Sequence, residues 1–273
     1  MKLRDTFWLW GHPEGRYNNN IDNFGFHGFS RMTPMEGCLY LGIKNTFMVP
    51  CDWPCDRDQY NKSFKTLNKV GWEFTRKMHT PELIDEYIND AKKFSNINCV
   101  VFDDFKGLSA KHKDKELFIE NLKKVIDKLH NNDVKRLDVW MVLYTHEFGI
   151  DEKVDAEFAE ILKLFDGIIM WNWYESRYKE IPEKFEIFKK LTPNNRRMFG
   201  CYLYNFGEKK QATGEAVKWQ LDFYREKMLA GEAEGVVPHT NTMADMDFES
   251  YDVFRAWIAE HGDEEISVPT LEN

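Results

Sequence analysis

The sequence predicts an α/β fold on a parallel sheet: a (β/α)8 TIM-type barrel with one strand irregular or missing. Three observations carry this. Short, wholly apolar runs alternate with amphipathic stretches along the entire length, the pattern of strands buried on both faces and of the helices that cover them. The chain has 273 residues, and single barrels of this kind run to roughly 250. No glycine-rich phosphate loop follows the first apolar run: GHPEGRYNNN (11–20) is neither G-x-G-x-x-G nor a P-loop, so the open doubly wound alternative lacks its signature. No boundary interrupts the rhythm, and residues 1–273 read as a single barrel domain.

The first strand is expected over FWLWG (7–11). A helix follows over 33–43, where Thr33 is the N-cap, Pro34 the first helical residue and Glu36 the third. Thr and Glu at that spacing satisfy each other's orphan backbone donors. The second strand is TFMVP (46–50). Cys51 to His79 reads as the main irregular insertion, and loops of that length in a compact domain are usually functional or mobile. Within it, KVGWEFT (69–75) is the candidate for the eighth strand. A second Thr-Pro start at Thr80 opens a helix with Leu83, Ile84, Tyr87, Ile88 and Ala91 at helical spacing. The strand NCVVFDD (98–104) comes next. The helix over 114–130 places Leu117, Phe118, Leu122, Val125, Ile126 and Leu129 on one face. Strands are then expected over 137–145, 167–173, 197–205 and 234–240, with helices over 152–165, 181–191, 213–229 and 249–261.

Hydrophobic residues make up 42% of the chain and charged residues 30%, ordinary for a globular protein. Formal net charge is −9 and no Lys/Arg-rich run stands out, which argues against nucleic acid or an anionic membrane as partner. No apolar run approaches the roughly 18 residues of a membrane span. A cytoplasmic location is expected, or secretion with a leader removed. The 5 cysteines show no framework spacing; Cys51 and Cys55 read as free thiols or one disulfide, with no second Cys/His pair at zinc spacing. No cofactor and no metal are called for. Aromatic residues reach 15%, including 9 Trp, and such an excess often lines sites for ring-shaped ligands.

In parallel α/β folds the ligand site forms at the carboxyl ends of the strands. The strand exits present Trp10 and His12; Cys51, Asp52 and Trp53; Asp103 and Asp104; Tyr144, His146 and Glu147; Trp171, Asn172, Trp173 and Glu175; Tyr202, Tyr204 and Asn205; and His239 and Asn241. Neighbouring strands lie about 4.8 Å apart. Acids on adjacent or next-but-one strands therefore fall about 5 to 9 Å from one another, the range in which one carboxyl can protonate a glycosidic oxygen while another attacks or activates water. Asp103, Asp104, Glu147 and Glu175 are the candidate catalytic acids. Trp10, His12, Trp53, Tyr144, His146, Trp171, Asn172, Trp173, Tyr204, Asn205, His239 and Asn241 are the candidate substrate contacts. Strand alternation lets at most one of Asp103 and Asp104 point into the mouth, and sets Asn172 on the face opposite Trp171 and Trp173.

Tryptophan-bearing strand ends with acids at several exits, in VVFDDF, YTHE, MWNWYES and LYNF, resemble the glycoside-hydrolase type of (β/α)8 barrel. The resemblance covers most of the chain in rhythm and is loose in motif. The chitinase-type D-x-x-D-x-D-x-E is absent, and so is the Asn-Glu that precedes the acid in the large retaining clan. It implies a carbohydrate-active enzyme whose partner is a small-molecule or oligosaccharide substrate. A metal-dependent sugar isomerase, epimerase or hydrolase, using Glu147, Glu175, His146, His239 and the Asp pair, is the second reading. A non-catalytic carbohydrate-binding barrel is the third.

Overall fold

The computed structural model describes residues 1–78 and 80–267. His79, where the expected insertion ends, lies outside the described residues. Among the described residues ten strands are formed: β1 Trp8–Gly11, β2 Asn45–Met48, β3 Lys69–Glu73, β4 Ile97–Phe102, β5 Asp138–Tyr144, β6 Gly167–Trp171, β7 Arg196–Tyr202, β8 Tyr204–Asn205, β9 Lys210–Gln211 and β10 Gly235–His239. Eight of them close into a parallel barrel in the order β1-β10-β7-β6-β5-β4-β3-β2. The protein is a (β/α)8 barrel. KVGWEFT supplies the strand that completes it.

The α-helices are α1 Ile21–Phe24, α2 Pro34–Leu41, α3 Arg57–Ser63, α4 Ile84–Lys93, α5 Phe105–Lys111, α6 Lys115–His130, α7 Glu152–Leu162, α8 Ile181–Leu191, α9 Gly214–Leu229 and α10 Glu249–His261. The cap of α2 forms as expected: Glu36 N donates to Thr33 Oγ1 at 3.3 Å and Thr33 N to Glu36 Oε2 at 2.8 Å. At Thr80 the proline start yields a short 3-10 turn, Pro81–Leu83, before α4 begins. Among the described residues no helix is long and apolar enough to cross a membrane.

Two expectations need correction. The segment after Cys51 is not irregular: α3, a 3-10 turn at Phe64–Thr66 and β3 occupy most of it. Its first turn is held by Asp56, whose side chain accepts from Gln59 N at 3.1 Å. The strand expected over 197–205 does not run through Asn205. It stops at Tyr202, and β8 leaves the barrel to pair antiparallel with β9. The apolar run Leu203–Tyr204 reflects burial against the loop over the first strand's exit rather than continued strand, since Tyr204 Oη donates to the Phe24 carbonyl.

Strand alternation sorts the core into two parts. One face packs on the helices. The other fills the barrel with Trp8, Trp10, Phe47, Val49, Cys99, Val101, Trp140, Val142, Ile169, Trp171, Met198 and Val237. Three large rings fit there because glycine stands beside them. Phe47 is paired with Gly71 and Trp140 with Gly167 across neighbouring strands. A Cβ on Gly200 would come within 1.9 Å of Trp171 Cδ2. At the amino-terminal end Arg196 closes the barrel, donating twice to Glu234 at 2.7 Å and once to Asp138, with its guanidinium 4.9 Å from the Trp140 ring. That bidentate geometry makes this end structural and leaves the carboxyl end for a ligand.

Candidate active site

The inward-facing series of each strand ends at the carboxyl mouth. It presents His12 after β1, Cys51 after β2, Glu73 from β3, Asp103 after β4, Tyr144 from β5, Trp171 from β6 and Trp173 after it, Tyr202 from β7 and His239 from β10. Glu73 follows Gly71 in the inward series of β3 and is 4% exposed. It is absent from the acids picked out from sequence. Once 69–75 is taken as strand, counting by twos from Gly71 finds it.

Asp103 is 6% exposed at the inward tip of β4. Burial pushes its carboxyl well above the usual range, and the neighbouring Asp104 carboxylate raises it further. Burial also raises Glu73. Asp104 adopts a left-handed conformation, φ 50°, so the strand's alternation ends there and the second acid is not sent to the far face. Both aspartates meet Arg76. Its Nη1 lies 3.5 Å from Asp103 Oδ2 and 3.6 Å from Glu73 Oε1, its Nη2 3.4 Å from Asp104 Oδ2, and its Nε 3.5 Å from Asp52 Oδ2. Asp52 and Cys51 also hold positive φ, at 62° and 51°. Three non-glycine residues in the left-handed region at one rim are a concentration of local strain of the kind that gathers at functional sites. Tyr144 Oη donates to Asp104 Oδ1 at 3.0 Å, and Cys51 Sγ lies 4.0 Å from Asp103 Oδ2.

Opposite the acids lies an aromatic and imidazole wall. His12 Nδ1 donates to the Val49 carbonyl at 2.5 Å, and its Nε2 faces His239 Nε2 at 3.2 Å and Tyr17 Oη at 3.3 Å. Burial lowers His12 to about 3 and pushes His239 well below its ordinary value. Both imidazoles are therefore neutral. With His12 Nδ1 carrying a proton, its Nε2 is the acceptor and His239 Nε2 the donor, which leaves His239 Nδ1 as an acceptor with no partner. Tyr17, Trp171, Tyr202 and Phe206 surround His239, with ring centroids 4.8 to 6.0 Å away.

The remaining expected residues have these positions. Trp10 lies one layer below the mouth, edge-on to Trp171 at 5.4 Å. Trp173 stands over the rim between Tyr144 and Tyr202, at 5.8 and 5.5 Å. Asn172 faces away from the barrel, accepting from Thr145 Oγ1 at 3.1 Å and donating to the Tyr174 carbonyl at 2.8 Å. His146 is exposed and stacked on the Tyr144 ring. Trp53 is 43% exposed at the rim. Glu147 accepts from Tyr144 N at 3.0 Å, and burial raises its carboxyl. Glu175 accepts from Thr213 N and Oγ1 at 2.9 and 3.2 Å, at the start of α9. Asn205 contacts Glu208 in the β8–β9 ribbon, and Tyr204 packs among Phe26, Phe206 and Phe248, so neither is presented by a barrel strand. Asn241 clamps the first strand's exit, accepting from His12 N at 2.8 Å and donating to the His12 and Met32 carbonyls at 2.9 and 2.7 Å. Among the described residues no group of three or more His, Cys, Asp and Glu side chains is arranged to hold a metal ion. All five cysteines are free.

No protein-family model matches the chain, and no curated protein sequence matches it. Solved structures do. Active domain 2 of a thermostable chitinase from Pyrococcus furiosus, studied as catalytic-site mutants complexed with chito-oligosaccharides, superposes with a TM-score of 0.61 at 10% identity, over 96% of this chain and 97% of that one. The PgaB (BpsB) glycoside hydrolase domain from Bordetella bronchiseptica gives 0.55 at 10% identity, over 92% and 98%. The likeness is one of fold. The tryptophan synthase α-subunit of a hyperthermophile, Pyrococcus furiosus, shares the same barrel at 0.50 and 10% identity, over 95% and 98%, so the scaffold alone does not select the chemistry.

Proposed function

We propose that the protein is a glycoside hydrolase acting on oligosaccharides, with Asp103 as its proton donor. The observation that carries this reading is a buried, up-shifted carboxyl at the inward tip of β4, beside a second carboxyl, in an aromatic-lined mouth. A protonated carboxyl near neutral pH is what a leaving glycosidic oxygen requires. Asp104 takes hydrogen bonds from Tyr144 and Arg76 and is the partner that attacks the anomeric carbon or activates water. Glu73 shares the Arg76 guanidinium with both aspartates and tunes their charge. Tyr144, Trp173 and Tyr202, each half-buried, offer faces on which the C–H surface of a sugar ring can stack. The resemblance in strand-end residues and the shared fold with two glycoside hydrolase domains support the same reading.

The test is a reducing-end assay over neutral and acidic oligosaccharides, chito-oligosaccharides included. Wild type is compared with Asp103→Asn, Asp104→Asn, Glu73→Gln and Glu147→Gln. Turnover that falls by about 100- to 10,000-fold in Asp103→Asn, with folding intact, is expected. Full activity in Asp103→Asn ends the assignment, and turnover of no oligosaccharide by wild type ends the reading. Activity abolished by EDTA and restored by a divalent metal would favour the metal-dependent alternative.

A further inference from the structure

Arg16 is the second guanidinium at the mouth, and its surroundings are unlike those of Arg76. Arg76 faces four carboxylates. Among the described residues no carboxylate pairs with Arg16, and its buried Nε has no hydrogen-bond partner. The side chain belongs to the loop after β1 but reaches the loop after β2. Its guanidinium carbon lies 5.3 Å from the Tyr17 ring centroid and 5.9 Å from that of Trp53. Tyr17 in turn touches His12, and Trp53 follows directly on Cys51 and Asp52. The guanidinium therefore spans the rim between the imidazole wall and the acid cluster.

An arginine held on two aromatic faces is preorganised. A buried Nε with nothing to donate to is costly unless a ligand completes it. The planar fork of a guanidinium matches a carboxylate or sulfate in bidentate fashion. Trp53 supplies an exposed indole beside it, a platform for the ring that carries the anion. The acids of the mouth do not repel such a group as strongly as their number suggests. Two of the four, Glu73 and Asp103, are driven by burial toward their neutral forms, and Arg76 stands between the rest.

We propose that Arg16 and Trp53 form a subsite for an anionic substituent, carboxylate or sulfate, on the sugar bound in the mouth. This rests on the carbohydrate reading above and narrows it to acidic oligosaccharides. The guanidinium selects the charged group, and the indole stacks on the ring bearing it.

Isothermal titration with acid and neutral versions of one backbone tests it, using the Asp103→Asn protein so that turnover does not intervene. Oligogalacturonate is compared with its methyl ester, and a sulfated glycosaminoglycan oligosaccharide with its desulfated form; the two pairs separate carboxylate from sulfate. At least one anionic form should bind 10-fold or more tightly than its neutral counterpart, the preference should weaken with added salt, and Arg16→Gln should abolish it. Equal or tighter binding of both neutral forms overturns the proposal, as does a preference that survives Arg16→Gln or the absence of binding by either anionic form. If Arg16→Gln fails to fold, the acid–neutral comparison and its salt dependence in the Arg16 protein decide. Hydrolysis of neutral oligosaccharides without anion preference would sink the subsite and leave the hydrolase reading standing. Anion-selective binding without turnover of any substrate by wild type would do the reverse.

Discussion

Arg76 Nη1 stands 3.5 Å from Asp103 Oδ2, where the chain leaving β3 leans over the tip of β4. The contact opposes burial: the Arg76 charge lowers the Asp103 carboxyl while desolvation raises it. Burial has the larger effect, so the acid keeps its proton above the ordinary range. Arg76 limits how far it rises.

Arg76→Gln therefore moves the Asp103 titration upward. In a pH profile of kcat/KM, the alkaline limb produced by loss of the Asp103 proton is expected at higher pH in the variant than in wild type. A limb that stays in place, or shifts down, contradicts the role given to Arg76.

The same carboxyl links stability to pH. Its folded value is raised above the unfolded one, so the folded state retains a proton that the unfolded chain releases near about pH 4. The stability it contributes is fully present below that pH and is lost as pH climbs toward the folded value. Asp103→Asn removes this penalty. The stability of the variant relative to wild type should rise between about pH 4 and pH 7 in urea unfolding. A difference that is constant with pH means Asp103 is not held protonated.

Gly200 carries no side chain because Trp171 occupies its space, with Cδ2, Cε3 and Cε2 all within 2.3 Å of where a Cβ would sit. Gly200→Ala must displace the indole or the strand, at a cost of about 3 kcal/mol or more. Thermal unfolding should show a drop of many degrees, and near-ultraviolet circular dichroism a changed tryptophan environment. An alanine variant as stable as wild type would show that Trp171 does not lie against β7.

Asn241 imitates a peptide group toward the loop after β1, pairing with both backbone groups of His12. Asn241→Ala leaves a buried N–H and two carbonyls without partners, which costs about 1–3 kcal/mol. Loss of stability should come with loss of ligand affinity, since His12 is set by this clamp. Asn241→Asp can still accept from His12 N but cannot donate to the carbonyls, so restored stability in that variant counts against the clamp.

Much of this architecture was legible in one dimension. The alternation of apolar runs with amphipathic stretches forces strands that are buried twice and helices that are buried once, and Thr33, Pro34 and Glu36 mark a helix start by local chemistry alone. The odd–even count along each strand already set Asn172 on the face opposite Trp171, and the structure turns Trp171 inward. What it could not reveal was where that count stops. Asp104, Cys51 and Asp52 turn into the left-handed region at the strand tips, so both aspartates reach one guanidinium. β7 ends at Tyr202, which carries Tyr204 and Asn205 away from the mouth.

Arg76 and Arg16 show the same division most plainly. Nothing near them in the chain marks them, because the groups that give them meaning arrive from other strands: Asp103 and Asp104 for Arg76, Trp53 for Arg16. Local periodicity settles which way a side chain faces, since it follows from backbone geometry a few residues long. Which groups meet, and which charge is left without a counter-charge, depends on barrel closure, and that brings together residues tens of positions apart only after the whole sheet has formed.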